Sequence, residues 1–290
     1  MKKIGFIIDS FSCETEKSAK EKGFEFFSID VEIDGKLYED GRGIDRTKML
    51  EMIRDGKSIK TSLPKLGMME ETIKRMTKEY DEVIYVGIST GLSSSMRIAA
   101  TLESAYKNFH IFENSLAGDM YLEIIEFIKN KFEEGKTISQ IIEETNKIQE
   151  QSLIFILPQK INYLIEGGRA TGFKKLLLKT FSKLSVLPYV KFYDNKVSNG
   201  GIARSSSKAA TQIVHKLLNH VELSSASEIN DKYDVHFIYG IDEDFNNSVR
   251  STCEKLGIKF ASEKLNASSI AVHTGPEAIS LSIMPKINKK

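Results

Sequence analysis

The chain has 290 residues, 41% of them hydrophobic and 28% charged, enough apolar content for a sizeable core in one large domain or two ordinary ones. Forty-one basic residues against forty acidic ones leave a formal net charge of +1, which removes the whole-molecule electrostatic case for a nucleic-acid binder. No stretch approaches the ~18 continuous apolar residues of a membrane span, and the opening apolar run is too short for a secretory leader, so a cytoplasmic protein without stable membrane insertion is expected.

Ile4–Ile8 is a short apolar run ending at Asp9-Ser10 and reads as a buried parallel strand feeding a helix. Phe24–Ile33 is a second extended stretch, turned at Asp34-Gly35. Arg46–Arg54 has helical spacing. Pro64 falls in the first turn of a further helix, with Leu66, Met69, Ile73 and Met76 on one face. Glu82–Ile88 is another buried strand, followed by a helix through about Tyr106. His110–Phe112 is a strand and Gly118 to Phe132 a helix. Thr137 with Gln140 makes a capping box for Ile138–Gln149. This alternation predicts a parallel sheet covered on both faces.

Leu153–Leu157 restarts the strand pattern, and then the composition changes: the segment Lys160–Lys191 holds seven basic residues and one acidic. That stretch is a solvated charged face or a dock for anionic lipid or an acidic partner. A domain boundary is placed there, giving an N-terminal α/β domain over 1–155 and a second α/β domain over 156–290. In the second, strands are expected around Val186–Tyr193, Val235–Tyr239, Ser269–His273 and Ala278–Met284, with helices at Ser206–Leu218 and about Phe245–Leu256. Cys13 and Cys253 have neither metal-ligand nor redox spacing and read as buried thiols in a reducing compartment. The histidines form no ligand spacing, so no metal site is expected, and the absence of phosphate-loop and dinucleotide fingerprints leaves no nucleotide site.

Two segments combine hydroxyls with a helix start: Lys60-Thr61-Ser62-Leu63-Pro64 and Ile88-Ser89-Thr90-Gly91-Leu92-Ser93-Ser94-Ser95. Free N–H groups and a partial positive charge at a helix N-terminus favour an anion, although the same hydroxyls also suit plain N-caps. Gly87-Ile88-Ser89-Thr90-Gly91 further matches the G-x-S-x-G elbow of serine hydrolases, with Asp242 or Asp244 and then His273 following in the order of that fold. A serine hydrolase or esterase built on Ser89 is therefore the alternative reading.

In order along the chain, these segments resemble the DegV family. Ile8-Asp9-Ser10 is similar to its opening strand and turn, Tyr38-Glu39-Asp40-Gly41 to its Y-x-D-G, and Lys60–Pro64 to its T-S-x-P. Ile88–Ser93 resembles its I-S-S-G-L-S, Tyr163–Arg169 its Y-L-x-x-G-G-R, and Ala203-Arg204 and His273–Pro276 its later arginine strand and H-x-G-P turn. The resemblance implies a two-domain α/β protein that is not itself an enzyme and uses no cofactor. It would hold one long-chain fatty acid between its domains, with the tail in an apolar tunnel of the second domain. Thr61, Ser62, Ser93 and Ser94 would hold the carboxylate, with His273 beside them. Arg169 and Arg204 would lie at the head group or face a partner, a separate ATP-dependent fatty acid kinase subunit. The chain departs from the family pattern at Lys65-Leu66 after Pro64, at Ser94-Ser95, at Asn114–Gly118 and at Glu277 after Pro276. These departures bear on acyl preference and on the kinase partnership.

Overall fold

The apolar runs become strands of three sheets in a computed structural model that describes residues 2–166 and 186–287. In chain order the elements are β1 (Ile4–Asp9), α1 (Glu16–Glu21), β2 (Glu25–Phe27), β3 (Asp30–Ile33), β4 (Lys36–Glu39), α2 (Arg46–Asp55) and β5 (Ile59–Ser62). There follow α3 (Leu66–Glu79), β6 (Glu82–Val86), α4 (Ser95–Glu103), β7 (Phe109–Phe112), α5 (Met120–Glu133), α6 (Ile138–Glu150), β8 (Leu153–Leu157) and α7 (Asn162–Glu166). The last elements are β9 (Leu187–Tyr193), β10 (Lys196–Ala203), α8 (Ser206–His220), α9 (Ala226–Lys232), β11 (Tyr233–Tyr239), α10 (Glu243–Lys255), β12 (Phe260–Leu265), α11 (Ser268–Thr274) and β13 (Ile279–Pro285).

β1 is buried on both faces, and it pairs in parallel with β2 on one side and β6 on the other. The resulting four-stranded sheet runs β2-β1-β6-β7, so its order reverses between β1 and β6. In open parallel sheets the crevice outside the strand carboxyl ends at such a reversal is where ligands bind. The extended stretch expected over Phe24–Ile33 divides: β2 joins the parallel sheet, while β3 leaves it to pair antiparallel with β4 and β5 in a separate three-stranded sheet. The capping box at Thr137 and Gln140 forms as expected and opens α6.

The second sheet has six strands in the order β10-β9-β8-β13-β11-β12. It is antiparallel at every pair except β11 with β12. Alternation along its strands divides two cores. Leu153, Phe155, Val235, Phe237, Leu281 and Ile283 face α8 and α10. Ile154, Phe192, Ile238 and Met284 face the other way and join the core of α5, α6 and the parallel sheet. The two sheets thus sit on either side of one shared apolar layer.

Three readings of the sequence are corrected here. Ser269–His273 is helical, as part of α11, and not a strand. Pro64 precedes the helix instead of lying in its first turn, since α3 begins at Leu66 with Lys65 as its N-cap, and Leu66 is 58% exposed. Thr61 and Ser62 consequently belong to strand β5, where the ladder with β3 occupies the backbone.

Candidate functional site

α11 contacts α2, β3 and β5, which brings the second half of the chain against the three-stranded sheet. Its N-terminus has no side-chain cap of its own. The buried carboxylate of Asp40 instead accepts the Ser269 N–H at 2.8 Å, and Arg46 lies 3.5 Å from the other Asp40 oxygen. Arg46 also donates to the carbonyl of Glu14 at 2.6 Å and to that of Cys13. α11 ends at Gly275, whose φ of 97° is open to glycine at little cost. In this setting His273 reaches across the halves, its Nε2 2.9 Å from the Thr61 hydroxyl.

Thr61 and Ser62 meet Ser93 at the rim of a cavity enclosing about 820 Å³ of empty volume, mouth included, lined also by His273. Its remaining walls are mostly aliphatic: Phe11, Ile29, Ile88 and Leu92 from the first half, Ile156, Val190, Val197 and Ile270 from the second. A pocket of this kind, apolar with a few convergent polar groups, is the usual form of a small-molecule site. The apolar wall is therefore shared between the halves and not confined to the second, because the shared core layer is where the two sheets meet. Phe11, Ile156, Ile270 and Thr274 also border a second, smaller apolar chamber, lined by Phe192, Ile238, Ala117 and Ala278 among others.

Outside the rim, Thr61, Ser62, Leu92 and Ser93 pass into an open depression with Thr90, Ser94 and Arg97. Ser94 is exposed and caps α4 by position, without a side-chain bond to the helix's free backbone N–H groups. Ser93 is buried, its hydroxyl 2.9 Å from that of Ser95. Of the expected carboxylate group, Thr61, Ser62, Ser93 and His273 thus line one cavity, while Ser94 belongs to its outer depression. Only the Ser93–Ser94 pair stands at a helix N-terminus; the Thr61–Ser62 pair presents its hydroxyls from a strand edge. Arg204 is exposed and lines neither the cavity nor the depression. Arg169 lies outside the described residues, as does most of the basic stretch.

Arg97 is the residue the sequence reading missed. Its guanidinium donates to the Thr90 carbonyl at 3.0 Å and to the Ser94 hydroxyl at 3.1 Å. A cation in the first turn of a helix opposes the macrodipole, and that misfit was the available signal. Beyond Thr61 and His273 a second cleft is lined by Arg54, Lys57, Lys60 and Lys160, so the rim has cations on two sides. Among the described residues no cluster of His, Cys, Asp or Glu is arranged to hold a metal.

The hydrolase alternative is not supported by this arrangement. Ser89 is 1% exposed, and its hydroxyl sits 2.7 Å from the side-chain amide of Asn195. His273 is directed at Thr61 instead. Asp242 caps α10 through the Phe245 N–H and accepts from Gln159 at 2.7 Å. A nucleophile elbow exposes its serine; this one is covered.

The chain matches the model of a family described as "uncharacterised protein, DegV family" over residues 3–286. It belongs to the DegV family. A DegV domain-containing protein of Mycoplasmopsis pulmonis is 26% identical over 292 residues, covering 99% of this chain and 96% of the relative. The DegV fold is equally plain in solved structures. A fatty-acid-binding DegV family protein from Streptococcus agalactiae superposes with a TM-score of 0.84 at 21% identity, covering 99% of this chain and all of the other. A stearic-acid-binding protein from Eubacterium ventriosum gives 0.80 at 23% identity, with 99% of each chain covered. No helix among the described residues of this DegV chain is long and apolar enough to cross a membrane.

Proposed function

We propose that this protein binds one long-chain fatty acid, with the carboxylate at the rim formed by Thr61, Ser62, Ser93 and His273 and the tail in the apolar cavity behind it. The observation that carries the reading is one cavity: polar groups converge at its mouth, its walls are apolar, and four of its lining residues also border the smaller apolar chamber. The Streptococcus agalactiae and Eubacterium ventriosum relatives are described as binding fatty acids. At roughly 0.8 kcal/mol per buried methylene, a sixteen-carbon chain supplies on the order of 11 kcal/mol before entropy and desolvation costs. The head group has only to avoid the penalty of an unpaired carboxylate, which hydroxyl donors at about 1.5–3 kcal/mol each offset.

Chemistry on the ligand is assigned to a separate partner, an ATP-dependent fatty acid kinase subunit to which the rim presents the carboxylate. The open depression beside Ser94 and Arg97 and the basic cleft on the other side of Thr61 support that role, since a phosphorylating partner needs solvent access and counter-charge at the acceptor oxygen. Arg204, exposed and apart from the cavity, is assigned to the partner-facing surface.

The test is native mass spectrometry of the purified protein with extraction of its ligand, together with thermal shift on adding palmitate or oleate. One lipid per chain and a raised melting temperature are expected. Ser93→Ala should weaken palmitate binding by about 1–3 kcal/mol, the range for a lost hydrogen bond to a charged group. A protein that purifies empty and gains no stability from either acid overturns the proposal.

A further inference from the structure

The hairpin β9–β10 turns on Asp194 and Asn195, whose φ values of 51° and 56° are the left-handed pair of a two-residue hairpin turn. Its tip leaves the six-stranded sheet and lands on the turn that leads from β6 to Ser93. The Asn195 N–H donates to the Ser115 hydroxyl at 2.6 Å. Its side-chain NH2 faces Ser89 Oγ at 2.7 Å, the Asn114 carbonyl at 2.8 Å, and Glu113 Oε1 and Ser115 Oγ at 3.1 Å each. Glu113 in turn accepts the Thr90 N–H at 3.0 Å. The Asn195 carbonyl lies so close to Gly91 that a Cβ there would come within 1.7 Å of it. The same hairpin places Val190 and Val197 in the cavity wall.

We propose that Asn195 is a positioning residue for head-group binding: it clamps the Ser89–Ser93 turn, and the hairpin that carries it couples an occupied tail cavity to the grip on the carboxylate. The inference rests on the fatty-acid reading above. A tail packed against Val190 and Val197 braces the hairpin, the braced tip holds the turn, and the turn holds Ser93 at the rim.

Asn195→Gly tests this cleanly, because glycine keeps the positive φ of the turn while deleting the amide. Gly91→Ala is the second variant; it leaves the amide in place but wedges the tip away from the turn. Affinities for palmitate and for hexadecanol, which has the tail without the charge, are measured on both variants and the parent, with melting temperatures as a check of folding. Palmitate affinity should fall about tenfold or more in both variants, the size of one charge-assisted hydrogen bond, with hexadecanol changed by less than about threefold. Equal losses for acid and alcohol would mean a merely structural role and overturn the proposal, as would an unchanged palmitate affinity. A parent protein that binds neither ligand overturns the fatty-acid reading itself, and this inference with it.

Discussion

Asp9 closes β1 without exposed surface, and its carboxylate collects the Phe11 N–H at 3.0 Å, the Ile88 N–H at 2.7 Å and the Tyr85 hydroxyl at 2.8 Å. Those donors favour the charged form, but burial outweighs them and pushes the carboxyl up to about 6. The native state therefore holds this proton more tightly than the unfolded chain. The associated stability is fully present below the unfolded value of 3.8 and is lost as pH rises through about 6. In urea unfolding, the stability of the wild type relative to Asp9→Asn should fall by about 3 kcal/mol between pH 3.5 and 7.5, at 1.36 kcal/mol per pKa unit. A difference that does not change with pH would remove the Asp9 carboxyl as its source. Ser89 yields a second prediction at this scale. Buried beneath Asn195 and bonded to no base, it should take no label from a fluorophosphonate probe in folded protein. Labelling that Ser89→Ala abolishes would restore the hydrolase reading. Both thiols are buried and pushed up to about 12, so neither Cys13 nor Cys253 is a thiolate at neutral pH.

α11 shows how an element can be held from outside its own sequence. Asp40 supplies the cap that Ala267 cannot, and Arg46 ties the same carboxylate to the backbone around Glu14. Asp40→Ala would leave the Ser269 N–H without its acceptor and the buried Arg46 guanidinium without its counter-charge, costing about 3–5 kcal/mol in denaturant unfolding. A loss below 1 kcal/mol would mean that water or a neighbour replaces the carboxylate. The strand expected at Ser269–His273 fails for the same reason: Ile270 and Val272 favour a strand by propensity, and tertiary contacts with α2 and β5 override it. β12 and β10 short of Ala203 give no strand signal of their own, because Lys196–Ala203 and Phe260–Leu265 carry polar residues on strands at the edges of their sheet, where hydrophobic patterning is weakest. By contrast, β1, β6 and β8 are short apolar runs buried on both faces, and their sequences announce them. The rim was legible to the extent that its chemistry sits in consecutive residues, as in Thr61-Ser62 and Ser93-Ser94. Its partner His273 and the aliphatic walls come from distant strands and helices, and no spacing along the chain reveals that they converge.

At the level of the whole molecule, the cavity exists because two sheets share one apolar layer without filling it. The rim is set by the end of β5, the turn after β6 and His273 of α11, and the far end by Ile154, Phe192, Ile238 and Ala278 on the opposing sheet and its loops. On the proposed reading, acyl length would be governed by the smaller chamber and affinity for the carboxylate by the rim, two regions that share Phe11, Ile156, Ile270 and Thr274 as lining. Ala278 and Ala117 line that chamber and are almost fully buried. Enlarging either one to leucine would displace about three methylenes of a bound tail, worth about 2 kcal/mol or roughly thirtyfold in affinity. Ala278→Leu and Ala117→Leu should therefore weaken stearate and palmitate more than the shorter decanoate, whose tail extends less far from the rim. Titrating a series of saturated acids against each variant measures this directly as a shift of the optimum to shorter chains. A uniform loss across all lengths would place the bound tail elsewhere, because only a ligand threaded from the rim into the chamber can sense a change at its end alone.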